Sequence, residues 1–182
     1  NNTIYDSLDL VNLAKNSDKK VVTISIHRTE NINSKENMKT LVNMILKIDP
    51  KYDIKWYLHI PTKNRLESFG LAPVLRNNGI DLQDLVPYEE FLNSLYNSDF
   101  VISDGDGVVE ECFFLGVPTL VWRYEHLDSN HLFLDDSSLK LSKFNESICL
   151  KFFQNYPSYR NNRRKIAISP SKEALNHLMN IR

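Results

Sequence analysis

Two polar clusters carry the chemistry this sequence can offer. One is Asp104-Gly105-Asp106-Gly107 within "SDGDGVVEECFFLGVPTLVW", with Glu111 one helical turn beyond; the other is "HRTEN", His27 to Asn31. The spacing Asp104-x-Asp106-Gly107 is that of the first positions of a calcium loop. Such a loop needs an oxygen ligand at its fifth position and a bidentate glutamate at its twelfth, and Val108 and Leu115 stand there instead. Metal binding is set aside. The second reading is a phosphate seat. If the turn leaves a strand and opens a helix, the main-chain N–H groups of Gly105 to Val108 face outward at the positive end of the helix dipole. The third reading is structural: the glycines serve a tight turn and Asp104 or Asp106 caps the helix. The residues alone leave these last two open.

The elements that must position these clusters alternate. "KKVVTISIH", Lys19 to His27, is a β-branched run suited to a buried parallel strand. Ser34 to Ile48 reads as an amphipathic helix with Ser34 as its cap and Met38, Leu41, Val42, Ile45 and Leu46 as one stripe, stopped by Asp49-Pro50. Ile54 to Ile60 is a second strand, and Pro61 to Asn77 a helix interrupted near Gly70 and Pro73. A weak third strand lies around Leu82 to Val86, followed by a helix over Tyr88 to Asn97. Asp99 to Ser103 is a fourth strand, Val108 to Leu115 a helix ended by Gly116, and Pro118 to Trp122 a fifth strand. Beyond it, Arg123 to Leu141 is polar and loop-rich, Glu146 to Tyr156 is helical, and residues 166–182 hold a terminal helix starting near Pro170. Its stripe of Ala174, Leu175, Leu178 and Ile181 needs a partner surface. This order predicts an α/β fold, a Rossmann-like open parallel sheet with helices on both faces. In such sheets ligands collect at the carboxyl ends of the strands, where both polar clusters fall.

Composition bounds the remainder. A chain of 182 residues with 42% hydrophobic content suits one domain with one substantial core, so residues 1–182 are read as a single domain. With 22 basic against 23 acidic side chains the net charge is -1, which favours neither nucleic acid nor an anionic membrane. Cys112 and Cys149 form no CxxC pair, and Cys112 lies in an apolar helical stretch, so buried thiols in a reducing compartment are expected. No apolar run approaches a membrane span, and "NNTIYDSLDL" lacks the features of a signal peptide, giving a reading of a soluble cytoplasmic protein or fragment. His59 reads as a structural residue in the second strand, and Trp56 and Trp122 read as core. His126 and His131 with Asp128, Asp135 and Asp136 lack metal-ligand spacing. "YRNNRRK", Tyr159 to Lys165, reads as a solvated basic helix end.

Taken in order, four segments resemble the C-terminal half of the UDP-N-acetylglucosamine 2-epimerase family. "NNTIYDSL", residues 1–8, is similar to the family's interdomain hinge "GNTVIDAL", "HRTEN" to H-R-x-E-N, and "HIPTKNRL" to "HPRTRKRL". The run from Val86 to Arg123 is similar to the family's segment around "VITDSGGIQEEA". The resemblance implies one half of a GT-B fold of two Rossmann-like halves, with an N-terminal half as a partner, a UDP-sugar as ligand, no cofactor and a homodimer. It also implies site residues. His27 matches the histidine of the sugar-nucleotide site and is assigned as catalytic. Phe91 matches an aromatic beside the uracil; Gly105, Asp106 and Gly107 match the turn facing the diphosphate; and Glu111 matches the glutamate that accepts hydrogen bonds from the ribose hydroxyls. Arg28, Glu30 and Arg123 complete the substrate-binding set, and no metal is assigned.

Two departures from the family pattern bear on this reading. Where the family has Asp-Ser-Gly-Gly, Asp106 brings a carboxylate to the turn. At ~4 Å and an effective dielectric of ~20 a like-charge pair costs on the order of 4 kcal/mol unless that carboxylate turns away or is bridged. The family's second arginine after Arg123 is missing, with Asp128 near its place. The family reaction is elimination of UDP to a 2-acetamidoglucal and re-addition after proton exchange at C2, with the proton-moving carboxylates in the N-terminal half. The chain is therefore expected to be inactive alone. The alternatives are the donor domain of a GT-B glycosyltransferase and a non-catalytic domain with a degenerate UDP site.

Overall fold

The computed structural model describes residues 4–14, 19–125, 138–164 and 169–179. Its centre is a six-stranded parallel sheet: β1 (Val21–Ser25), β2 (Asp53–Leu58), β3 (Asp81–Asp84), β4 (Phe100–Ser103), β5 (Thr119–Val121) and β6 (Leu139–Leu141), in spatial order β3-β2-β1-β4-β5-β6. The order reverses between β1 and β4, whose register pairs Ser25 with Ser103 at the carboxyl end. This is the arrangement in which an open α/β sheet leaves a crevice.

Alternation along the strands divides the core. Val22, Ile24, Ile54, Trp56, Phe100, Ile102, Leu120 and Trp122 face one side, against α3 (Lys35–Ile45), α4 (Ile60–Ser68), α5 (Ala72–Asn77) and α8 (Glu146–Asn155). Val101 faces the other, with Leu8 of α1 (Ile4–Leu10), Leu92 and Leu95 of α6 (Tyr88–Asn97), and Cys112 and Leu115 of α7 (Asp106–Leu115). Each fully buried large apolar side chain contributes about 2–3 kcal/mol, and Trp56 and Trp122 are among the largest. The Rossmann-like expectation holds, with helices on both faces.

Local signals explain most boundaries. Ser34 caps α3, its hydroxyl accepting from Asn37 N at 3.2 Å. Gly116 ends α7 at φ 69°, a left-handed conformation, and a Cβ there would strike the Asn161 carbonyl oxygen. Burial pushes the Cys112 thiol up to about 12 and that of Cys149 to about 11, as expected of inert core cysteines.

Several expectations are corrected. The segment read as loop-rich contains β6, too short at three residues to show a period. α1 and a four-residue helix, α2 (Thr29–Ile32), were not anticipated. His59 lies beyond β2 at the N-cap of α4 rather than in a strand. The basic run is a strap, not a solvated end. Arg160 donates to the carbonyls of Ser98 and Asp99, Arg163 to Leu8 O at 3.0 Å and Arg164 to Phe113 O at 3.1 Å. The final helix, α9 (Pro170–Met179), meets α1 through Ser171 N and Asp6, while Leu175 and Leu178 remain exposed. Ile181, Lys165 and the His126, Asp128, His131, Asp135 and Asp136 group lie outside the described residues. Among the described residues no helix is long and apolar enough to cross a membrane, and no three His, Cys, Asp or Glu side chains gather as metal ligands.

Candidate functional site

Asp104 organises the carboxyl edge of the sheet. It follows β4 directly and is fully buried. Its carboxylate accepts from the backbone N–H of His27 and of Arg28, both at 3.0 Å, and from Asn31 Nδ2 at 2.7 Å. Asn31 Nδ2 also reaches Trp122 O at 3.3 Å. The Asp104 carbonyl accepts from Arg123 Nε at 2.8 Å. One buried carboxylate thus ties the segment after β1 to the turn after β4, and a buried carboxylate is tolerated only with such a set of donors. Asp104 therefore neither caps α7 nor faces a ligand.

The geometry of the turn bears on the two readings the sequence left open. Neither Gly105 nor Gly107 has positive φ; the positive-φ glycines are Gly70, Gly79 and Gly116. Gly105 is the N-cap of α7, and no side chain caps the helix. The first N–H groups of α7, which have no partner inside a helix, are left without a side-chain cap. Gly105 is demanded by a close approach, since a Cβ there would collide with His27 Cε1. A Cβ on Gly107 would meet nothing within 4 Å, so packing does not require glycine there and the turn stays open to solvent.

A cleft of about 400 Å³ opens above α7, lined by Ser25, His27, His59, Leu85, Val86, Tyr88, Phe91, Asp106, Gly107, Val108 and Glu111. The His27 and His59 rings lie 4.8 Å apart, and His27 Nδ1 is 3.6 Å from Asp104 Oδ1, too long for a hydrogen bond. Desolvation, with the neighbouring His27, lowers the His59 pKa, favouring a neutral ring. Phe91 is braced edge-on by Tyr57 at 5.3 Å. Glu111 is 7% exposed and accepts from Tyr88 Oη at 2.9 Å. Burial pushes its pKa up to about 7; the Tyr88 hydrogen bond opposes this and Glu110 adds to it.

Of the residues singled out from sequence, the cleft brings together His27, Phe91, Asp106, Gly107 and Glu111. Gly105 sits under His27, and Arg28, Glu30 and Arg123 stand behind the turn rather than on the cleft wall. Arg28 pairs with Glu30, whose pKa is lowered: desolvation, the largest influence, acts upward but is outweighed by hydrogen bonds from its own backbone and Arg28 and by the charge of Arg28 and Arg123. Arg123 Nη2 meets Asp106 Oδ1 at 2.5 Å, and Arg28 Nη1 lies 3.6 Å from Asp106 Oδ2. The Asp106 carboxylate thus faces two guanidinium groups. His59 and Tyr88 are among the wall residues that sequence reasoning missed. Tyr88 had a usable signal, since it opens a helix directly after Pro87 on the same edge.

Residues 2–136 match the family model described as UDP-N-acetylglucosamine 2-epimerase. The chain belongs to the UDP-N-acetylglucosamine 2-epimerase family. A family member from Methanocaldococcus jannaschii is 37% identical over 103 residues, which are 55% of this chain and 28% of that protein. The structure of UDP-GlcNAc 2-epimerase from the same organism superposes with a TM-score of 0.76 at 24% identity, covering 100% of this chain and 50% of that one. The enzyme from Neisseria meningitidis, solved bound to UDP-GlcNAc, gives a TM-score of 0.75 at 20% identity over 98% of this chain and 48% of that one. At these identities the superpositions establish the shared fold. The chain spans about half the length of these structural relatives of the family.

Proposed function

We propose that this chain is the nucleotide-binding half of a UDP-N-acetylglucosamine 2-epimerase-like enzyme, interconverting UDP-GlcNAc and UDP-ManNAc for surface polysaccharide synthesis. The observation that carries the reading is the convergence of a buried glutamate, an aromatic wall and an uncapped helix start on one cleft at the topological switch of the sheet. The uracil lies against Phe91. The vicinal ribose hydroxyls donate to the two oxygens of Glu111, a role for which a carboxylate one turn into α7 is suited. The diphosphate faces the N–H groups of the first turn of α7, where the helix dipole favours negative charge. The sugar ring then points toward His27 and His59, at the mouth of the cleft.

In this reading the chain supplies binding and orientation. His27 is held by Asp104 through its backbone, and its ring stands over Gly105 beside the diphosphate position, where an imidazole can stabilise the departing UDP. The groups that exchange the C2 proton belong to an N-terminal half that closes over the same edge, and the complete enzyme forms a homodimer in the cytoplasm. Calorimetry with uridine and with 2′,3′-dideoxyuridine tests the binding role. Uridine is expected to bind at least about tenfold more tightly, because Glu111 is built to pair with hydroxyls that the analogue lacks. Equal affinity, or none for uridine, overturns it. The chain alone is expected to leave C2 of UDP-GlcNAc unexchanged in D2O, and exchange by the chain alone would contradict its role as one half.

A further inference from the structure

Arg123 is 7% exposed, and its guanidinium is fixed by the Asp104 carbonyl. A buried guanidinium needs an anion beside it. Asp106, the first residue of α7, fills that place at 2.5 Å and reaches toward Arg28 as well, at 3.6 Å. The carboxylate therefore combines three favourable terms: two cations and the positive end of a ten-residue helix. A phosphate group entering the same turn would seek the same three. Asp106 also lines the cleft, and its side chain is about half exposed, so it can rotate away from the arginines without leaving a buried void.

Resting on the nucleotide reading above, we propose that Asp106 is a built-in competitor of the ligand's phosphates. Its carboxylate occupies the anion seat made by Arg123, Arg28 and the start of α7, and a nucleoside diphosphate is received only when it swings out. The competitor is tethered, so it acts at a high effective concentration that free phosphate cannot match. The diphosphate affinity is then reduced by the fraction of time the seat is vacant, while the nucleoside part of the ligand, held by Glu111 and Phe91, is not taxed. The site consequently reads the nucleoside more than the phosphates.

The test is calorimetry of the chain, wild type, Asp106→Asn and Asp106→Glu, with UDP and with uridine, using the ratio of the two affinities for each protein. Asparagine keeps the shape and an acceptor for Arg123 but removes the charge; glutamate keeps the charge. The UDP-to-uridine ratio is expected to rise about tenfold or more in Asp106→Asn, as for a competitor seated at least nine-tenths of the time, and to stay within about threefold of wild type in Asp106→Glu. An unchanged or smaller ratio in Asp106→Asn, with uridine still bound, overturns the competitor and leaves the nucleotide reading standing. Absence of uridine binding in all three proteins overturns both. Should Asp106→Asn fail to fold, wild type alone decides. A ratio below about ten supports the competitor, and phosphates that add about a hundredfold or more contradict it.

Discussion

Asp104 and His27 are joined across the sheet edge, with the Asp104 carboxylate accepting the His27 backbone N–H at 3.0 Å and leaving the imidazole free to lie over Gly105. The same carboxylate takes the Arg28 N–H and the Asn31 amide, so one side chain sets the course of the whole segment after β1. In Asp104→Asn one acceptor becomes a donor pointed at other donors inside the protein. The expected cost is on the order of 2–4 kcal/mol of stability, read by urea denaturation, together with loss of uridine binding. A variant as stable as wild type would mean that the edge is held by something else.

Glu111 makes the fold lose stability as pH rises from about 4.5 to about 7. Its pKa is raised from 4.5 to about 7, so it costs the fold nothing extra below about pH 4.5, where both states are protonated; the penalty grows between about pH 4.5 and 7 and is complete above 7. Glu111→Gln removes that penalty. The variant should be more stable than wild type by up to about 3 kcal/mol at pH 8 and indistinguishable from it near pH 4.5, compared by denaturant midpoints. An equal difference at both pH values would show that the carboxyl does not titrate in this range.

The same titration should govern binding with the opposite benefit. A ribose diol donates to an ionised carboxylate, so the form that burdens the fold is the form that holds the ligand. Uridine, which carries no phosphate to titrate, should bind about tenfold more tightly at pH 8 than at pH 6. A flat profile would remove Glu111 from contact with the ribose.

Gly107 separates stability from binding. A Cβ there meets no atom within 4 Å, so Gly107→Val should change stability by less than about 1 kcal/mol while projecting into the place of the phosphates and weakening UDP in calorimetry at least about tenfold more than uridine. An equal loss for both, or none for either, would place the phosphates elsewhere.

Much of the framework was legible because its signals are local. The Ser34 cap, the Gly116 stop and the alternation of buried strands each leave a mark within a few residues, and the helix over Tyr88 to Asn97 falls where its period puts it. Among the described residues β6 pairs with β5 alone, and its three residues carry no pattern of their own. The strap at Arg160 to Arg164 looked solvated because its partners are backbone carbonyls of distant elements, which side-chain composition does not reveal. Of the cleft wall, Gly107, Phe91 and Glu111 were singled out through the motif they share with the family. The partnership of Asp106 with Arg123 and Arg28 was not, since three segments must meet before that carboxylate can be seen to be neutralised. His59 was misplaced for a similar reason, because the strand ends just before it and Pro61 turns the chain into α4.

The central claim is that a uridine nucleotide lies along the start of α7, with its ribose on Glu111 and its phosphates over Gly107. A crystal structure of the chain grown with UDP tests it most directly. The account predicts both ribose hydroxyls within about 3 Å of the Glu111 carboxylate, a phosphate against the first N–H groups of α7, and the Asp106 side chain rotated off Arg123. Density for the nucleotide outside this cleft, or an empty cleft with Asp106 still seated on Arg123 at saturating UDP, would contradict it.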